Sequence, residues 1–137
     1  MVFVVDSSCI VAWLLGESEM ADRVGFGLRL SSDSPLVPPL FWLETANALV
    51  MGFRRGRIDR DDVDAFLDAI SDLPIRHDRV PTQQVWGEIV LLSLEHGLTV
   101  YDASYLELAR RTSSPLATLD GRLARAARAE SVEVIGG

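Results

Sequence analysis

The stretch MVFVVDSSCIVAWLL, residues 1–15, decides the fold. Met1 to Val5 form a short apolar run rich in β-branched and aromatic side chains, broken at once by Asp6, Ser7 and Ser8. A run with no polar alternation predicts a strand buried on both faces. Ser7 or Ser8 can cap a helix after it, and Cys9, Ile10, Trp13 and Leu14 then recur on one helical face. A doubly buried strand that feeds a helix is the opening of a parallel sheet covered on both sides.

The rest of the chain repeats the alternation. Glu17 to Leu30 predicts a second helix and Ser31 to Ser34 a turn. Leu36 and Val37 predict a brief strand, stopped by Pro38 and Pro39. A helix over about Leu40 to Arg55 ends at Gly56, and Asp59 starts an acidic amphipathic helix with Val63, Phe66, Leu67 and Ile70 inward. A weak strand at Ile75 and Arg76 precedes a helix over Thr82 to Glu95, closed by His96 and Gly97. The next helix starts near Asp102, carries Tyr105, Leu106 and Ala109, and stops at the turn of Ser113 to Pro115. Leu116 to Leu119 reads as a strand, Arg122 to Ala129 as a short helix, and Val132 to Ile135 as a last strand. The expected architecture is a three-layer α/β/α domain with a central, mostly parallel sheet, residues 1–137 forming one domain without repeats or linkers.

Composition excludes several function classes. The chain has 137 residues, 48% apolar and 24% charged, as expected of an ordinary globular domain. Apolar stretches such as Cys9 to Leu15 and Pro35 to Leu43 fall far short of the roughly 20 residues of a membrane span. The N-terminus has no basic stretch and Asp6 interrupts its apolar run, so no signal peptide is expected and the cytoplasm is the expected compartment. The single cysteine, Cys9, makes neither an internal disulfide nor a multi-cysteine zinc site. Twenty acids against 13 bases give −7, and every base is Arg, with no Lys at all. That excludes a P-loop, a Schiff-base enzyme and a phospho-acceptor receiver domain, each of which needs a Lys. The acidic balance argues against a nucleic-acid coat protein but leaves a nuclease open, because carboxylates in a metal site do not count against phosphate binding.

Open parallel sheets place their sites beyond the carboxyl ends of the strands. Asp6 and Asp120 both stand at such ends, and each could simply cap the helix that follows. Asp102, ahead of Ala103 to Arg111, admits the same explanation. Glu44 does not. It lies mid-helix with Leu40, Phe41, Ala48 and Met51 at helical spacing around it, where an unpaired carboxylate is costly or takes up a proton. Asn47 could give it a hydrogen bond, or an Arg could pair with it at the edge of the core. A divalent cation shared with Asp6, Asp102 and Asp120 would compensate it better.

Four segments carry a resemblance: VVDSSCIVAWLL at the start, ETANAL at 44–49, YDASYLELA at 101–109 and TLDGRLARAA at 118–127. In this order they resemble the PIN domain, particularly the VapC toxins of bacterial toxin–antitoxin pairs, over nearly the whole chain. The resemblance implies a metal-dependent endoribonuclease that a cognate antitoxin inhibits, a homodimer, and a structured RNA as substrate. It implies that Asp6, Glu44, Asp102 and Asp120 surround Mg²⁺ or Mn²⁺. Hard dications prefer such oxygen donors, whereas two histidines without ligand spacing make no zinc site. Asp6 and Asp102 are then the principal ligands. Glu44 and Asp120 complete the site directly or through water, one of them helping to deprotonate the attacking water. Ser8 and Thr118 are candidates to support these carboxylates. Arg122, Arg125 and Arg128, spaced every three residues after Asp120, are candidates to hold RNA phosphate or an acidic end of the antitoxin.

The remaining singular residues read as structure. Asp59, Asp61, Asp62, Asp64, Asp68 and Asp72 suit a helix start and a solvated face, and Cys9, Trp13, Trp42 and Trp86 suit core or interface. Two rival functions stand beside the nuclease. An aspartate-nucleophile phosphohydrolase would use Asp6, but the expected second aspartate two residues on is Ser8, and no Lys is present. A catalytically silent PIN-like module would bind partner or RNA only, and would gain nothing obvious from a costly acidic pocket.

Overall fold

The computed structural model describes residues 1–16 and 23–136. Its strands are β1 (Val2–Val5), β2 (Ser34–Val37), β3 (Arg76–His77), β4 (Leu116–Ala117) and β5 (Val134–Ile135). They form one sheet in the order β3-β2-β1-β4-β5, every neighbouring pair parallel. Val4 pairs with Leu36 on one side and with Leu116 on the other. The run Phe3, Val4 and Val5 is buried at the centre, which is why it lacks polar alternation.

Chain order reverses direction at β1: β2 and β3 extend the sheet one way, β4 and β5 the other. With right-handed crossovers, the helices between β1 and β3 cover one face and those between β3 and β5 the other, giving three layers. On the first face are α1 (Ser7–Leu15), α2 (Arg23–Ser32), α3 (Phe41–Arg54) and α4 (Arg60–Ser71), with α1 packed on α3 and α3 on α4. Between β3 and β4 run α5 (Thr82–Gln84), a π-helical turn (Val85–Ile89), α6 (Val90–His96) and α7 (Val100–Arg111); α8 (Gly121–Ala129) links β4 to β5. α7 packs on β1, β4 and α8. No helix among the described residues is long and apolar enough to cross a membrane.

Several boundaries differ from the sequence expectation, each for a local reason. The second helix was expected over Glu17 to Leu30; residues 17–22 lie outside the described residues, and α2 spans Arg23–Ser32. β4 stops at Ala117 rather than Leu119, because the Thr118 hydroxyl accepts the Asp120 N–H at 3.0 Å and turns the chain. The last strand begins at Val134 rather than Val132, whose N–H is taken by Ala127 O at 2.8 Å at the end of α8. β3 covers Arg76 and His77, one residue later than expected. In α4 only Ile70 is buried; Val63 and Phe66 are half-buried and Leu67 is exposed. α7 starts at Val100, ahead of Asp102, because Thr99 caps it by accepting the Asp102 N–H at 3.1 Å.

Candidate active site

Strand order reverses between β1 and β4, and the carboxyl ends at such a reversal are where doubly wound sheets form the crevice that binds ligands. Asp6 leaves β1 there, its N–H on Ala117 O at 3.1 Å. It is 4% exposed and caps α1. Its Oδ1 accepts from Ser8 Oγ at 2.7 Å and from Cys9 N at 3.0 Å, and its Oδ2 accepts from the Thr118 hydroxyl. A carboxylate has about four acceptor positions, so three are taken and one is left. Burial pushes the carboxyl up to about 6 against the hydrogen bonds from Thr118, Ser8 and Cys9, and the charge of Asp102 pushes the same way.

The other three acids arrive on separate helices. Glu44 stands in the first turn of α3, half-buried beside the buried seam of Phe41, Thr45, Leu49 and Gly52. Burial raises its carboxyl; a hydrogen bond from Tyr105 Oη to Oε1 at 2.7 Å opposes this, and the charge of Asp102 adds to it. Asp102 sits in the first turn of α7, raised by burial and then by Asp120, and lowered by Thr99 and Arg122. Asp120 is exposed and caps α8, accepting Leu123 N–H at 2.9 Å. Asp102 is thus the hub of one electrostatic cluster, felt by Asp6 and Glu44 and itself feeling Asp120.

Thr118 joins two of these acids. Fully buried, it donates to Asp6 Oδ2 and accepts from Asp120 N–H at 3.0 Å. Ser8 supports Asp6 from the other side. Of the three arginines, Arg122 lies close enough to lower Asp102 and donates to Gly97 O at 3.2 Å; Arg125 and Arg128 are exposed on the same helix.

Two sequence expectations about these acids are corrected. Asp102 is no helix cap, since Thr99 fills that position and leaves the carboxylate to the crevice. Asn47 is exposed, and the partner of Glu44 is the hydroxyl of Tyr105. Tyr105, Ser7 and Thr99 carried no functional expectation. Tyr105 had a signal, because a tyrosine at a buried helical position needs a partner for its hydroxyl. Ser7 and Thr99 had none beyond capping.

A family model described as the PIN domain matches residues 3–129 of this chain. The chain belongs to the PIN-domain family. Ribonuclease VapC3 of Pyrobaculum aerophilum is 34% identical to this PIN domain over 127 residues, 90% of this chain and 93% of that protein. The crystal structure of PAE2754 from Pyrobaculum aerophilum covers 98% of this chain and 92% of its own at TM-score 0.70 and 24% identity. VapBC2 from Rickettsia felis, bound to a DNA fragment from their promoter, aligns at TM-score 0.66 and 11% identity over 98% of both chains. These two structural likenesses concern the fold.

The donor set of this PIN domain fits a hard dication. Asp6, Glu44 and Asp120 are each coupled by charge to Asp102, and the buried Asp6 keeps an acceptor position open. No three of these four carboxylates offer ligand atoms that all lie within 4.8 Å of one another. Among the described residues, one group does come within that distance: Glu95, His96 and Glu130, where α6 meets the end of α8. His96 Nε2 lies 2.9 Å from Glu130 Oε1, across 34 positions that gave no sequence signal.

Proposed function

We propose that this PIN domain, spanning the whole chain, is the toxin of a type II toxin–antitoxin pair, a metal-dependent endoribonuclease that hydrolyses RNA phosphodiester bonds. The observation that supports the reading is the charge coupling of Asp6, Glu44 and Asp120 to Asp102, with Asp102 raising two of the others. The likeness to a protein named as a ribonuclease over 90% of the chain supports it.

Asp6 and Asp102 are the principal ligands of Mg²⁺ or Mn²⁺, and Glu44 and Asp120 complete the shell directly or through water. The ion, when bound, lowers the pKa of a water and neutralises charge developing on the phosphate. Ser8 and Thr118 hold the Asp6 carboxylate and, with Cys9 N–H, leave it one acceptor position for the ion. A carboxylate whose pKa is raised by burial and by a neighbouring carboxylate is, when ionised, the stronger base toward the proton of an attacking water. Arg122, beside Asp102, is placed to hold a phosphate; Arg125 and Arg128 extend that basic side toward RNA or toward an acidic end of the antitoxin.

The cytoplasm, where RNA and antitoxin would be met, is the proposed compartment. A homodimer is proposed through helical faces, since Trp86 and Leu94 are 71% and 77% exposed near α6 while the edge strands β3 and β5 have two residues each. The test is cleavage of total cellular RNA by partner-free protein with Mg²⁺ or Mn²⁺, against EDTA and against Asp102→Asn. Discrete fragments that vanish in both controls are expected, with the variant at least about 100-fold slower. Equal cleavage by wild type and variant would remove the catalytic assignment.

A further inference from the structure

The three aspartates of the crevice are each held by the start of a helix. Asp6 and Asp120 take backbone N–H groups of α1 and α8, and Asp102 takes the Thr99 side chain that caps α7. Glu44, although in the first turn of α3, takes no backbone N–H of the helix start; its carboxylate is held by the Tyr105 hydroxyl. A glutamate also has one more rotatable bond than an aspartate, so of the four it loses most by being left free.

Tyr105 supplies what is missing. It is 1% exposed and stands three residues after Asp102, on the same side of α7. Its hydroxyl donates to Glu44 Oε1 at 2.7 Å and accepts from the Ser7 side chain at the start of α1. Three helices therefore meet at one phenol oxygen. Phenylalanine would fill the same space, and the hydroxyl is tolerated in the core only because both of its partners are present. The bond fixes one oxygen of Glu44 and leaves the other available.

The geometry points to Tyr105 as a positioning residue that fixes the Glu44 carboxylate for the divalent cation, with Ser7 aiming its hydroxyl. The inference rests on the assignment of Glu44 as a cation ligand. Groups that orient a metal ligand carry a measurable share of metal affinity when removed, about 10- to 100-fold.

The experiment is Mn²⁺ titration calorimetry on the EDTA-stripped full chain at pH 7, with thermal unfolding in EDTA alongside. Tyr105→Phe should weaken Mn²⁺ binding by about 10- to 100-fold while unfolding as cooperatively as wild type. Glu44→Ala should weaken it at least as much, and the double variant should match Glu44→Ala alone, since Tyr105 acts only through that carboxylate. Ser7→Ala, which leaves the core ring intact, should weaken binding in the same direction by a smaller factor. It decides the matter if the phenylalanine variant fails to fold. Wild-type affinity in Tyr105→Phe and Ser7→Ala would overturn the inference and leave the four-acid site standing. So would losses that multiply in the double variant. A wild type that binds no Mn²⁺ would overturn the metal site itself, and the inference with it.

Discussion

Replacing Asp6 by asparagine should make the metal-free protein more stable at neutral pH, although the replaced group is proposed to be essential. The folded carboxyl sits at about 6 against 3.8 for the free group. A rise of about two units at about 1.4 kcal/mol each makes ionised Asp6 cost the fold about 3 kcal/mol. The folded state binds its proton more tightly, so the favourable contribution is complete below 3.8 and is lost as pH rises through 6. Asparagine never ionises, but it must turn its amide toward Thr118 and rearrange that hydroxyl, at about 1 kcal/mol. The variant should therefore lead by about 2 kcal/mol at pH 7 and lose its lead at about pH 4.5. Urea unfolding in EDTA across pH 4 to 7 measures this. Saturating Mn²⁺ should reverse the order at pH 7, because wild type alone gains about 2.7 kcal/mol at a hundred times its Kd. A variant less stable than wild type in EDTA at pH 7, or a difference that ignores pH, would refute the reasoning.

Thr118→Val should destabilise the fold by about 1–3 kcal/mol in urea, because the buried Asp6 loses a donor and the Asp120 N–H loses its acceptor while side-chain volume is kept. Arg122→Ala should move the acid limb of the cleavage pH profile to higher pH, since Arg122 now holds Asp102 down; an unmoved limb would separate that arginine from the site.

The alternation of strands and helices was legible because the buried runs Phe3 to Val5 and Leu116 to Ala117 carry no polar residue. Strand ends were less legible: Thr118 looks like a strand residue, and only its side-chain bonds to Asp6 and Asp120 turn the chain away from the sheet. Glu44 announced itself by being a carboxylate at an apolar spacing, whereas Tyr105 announced only that its hydroxyl needed a partner, not that the partner was Glu44 across 61 positions. Asp102 was open to two explanations until Thr99 took the capping position, a choice made by backbone angles that local composition does not fix. The contact between His96 and Glu130 joins separate helices and had no local trace at all.

The bond between Asp6 and Thr118 closes a loop of 112 positions. Contacts so distant along the chain carry a large loop-closure entropy and slow folding. For a nuclease this sets an order of events during synthesis. The first strand and its aspartate emerge early, yet the crevice has only one wall until β4 is made and docks beside β1. On the proposed assignment, a nascent or interrupted chain lacking Thr118 and Asp120 has no complete acid site and so no capacity to cut RNA.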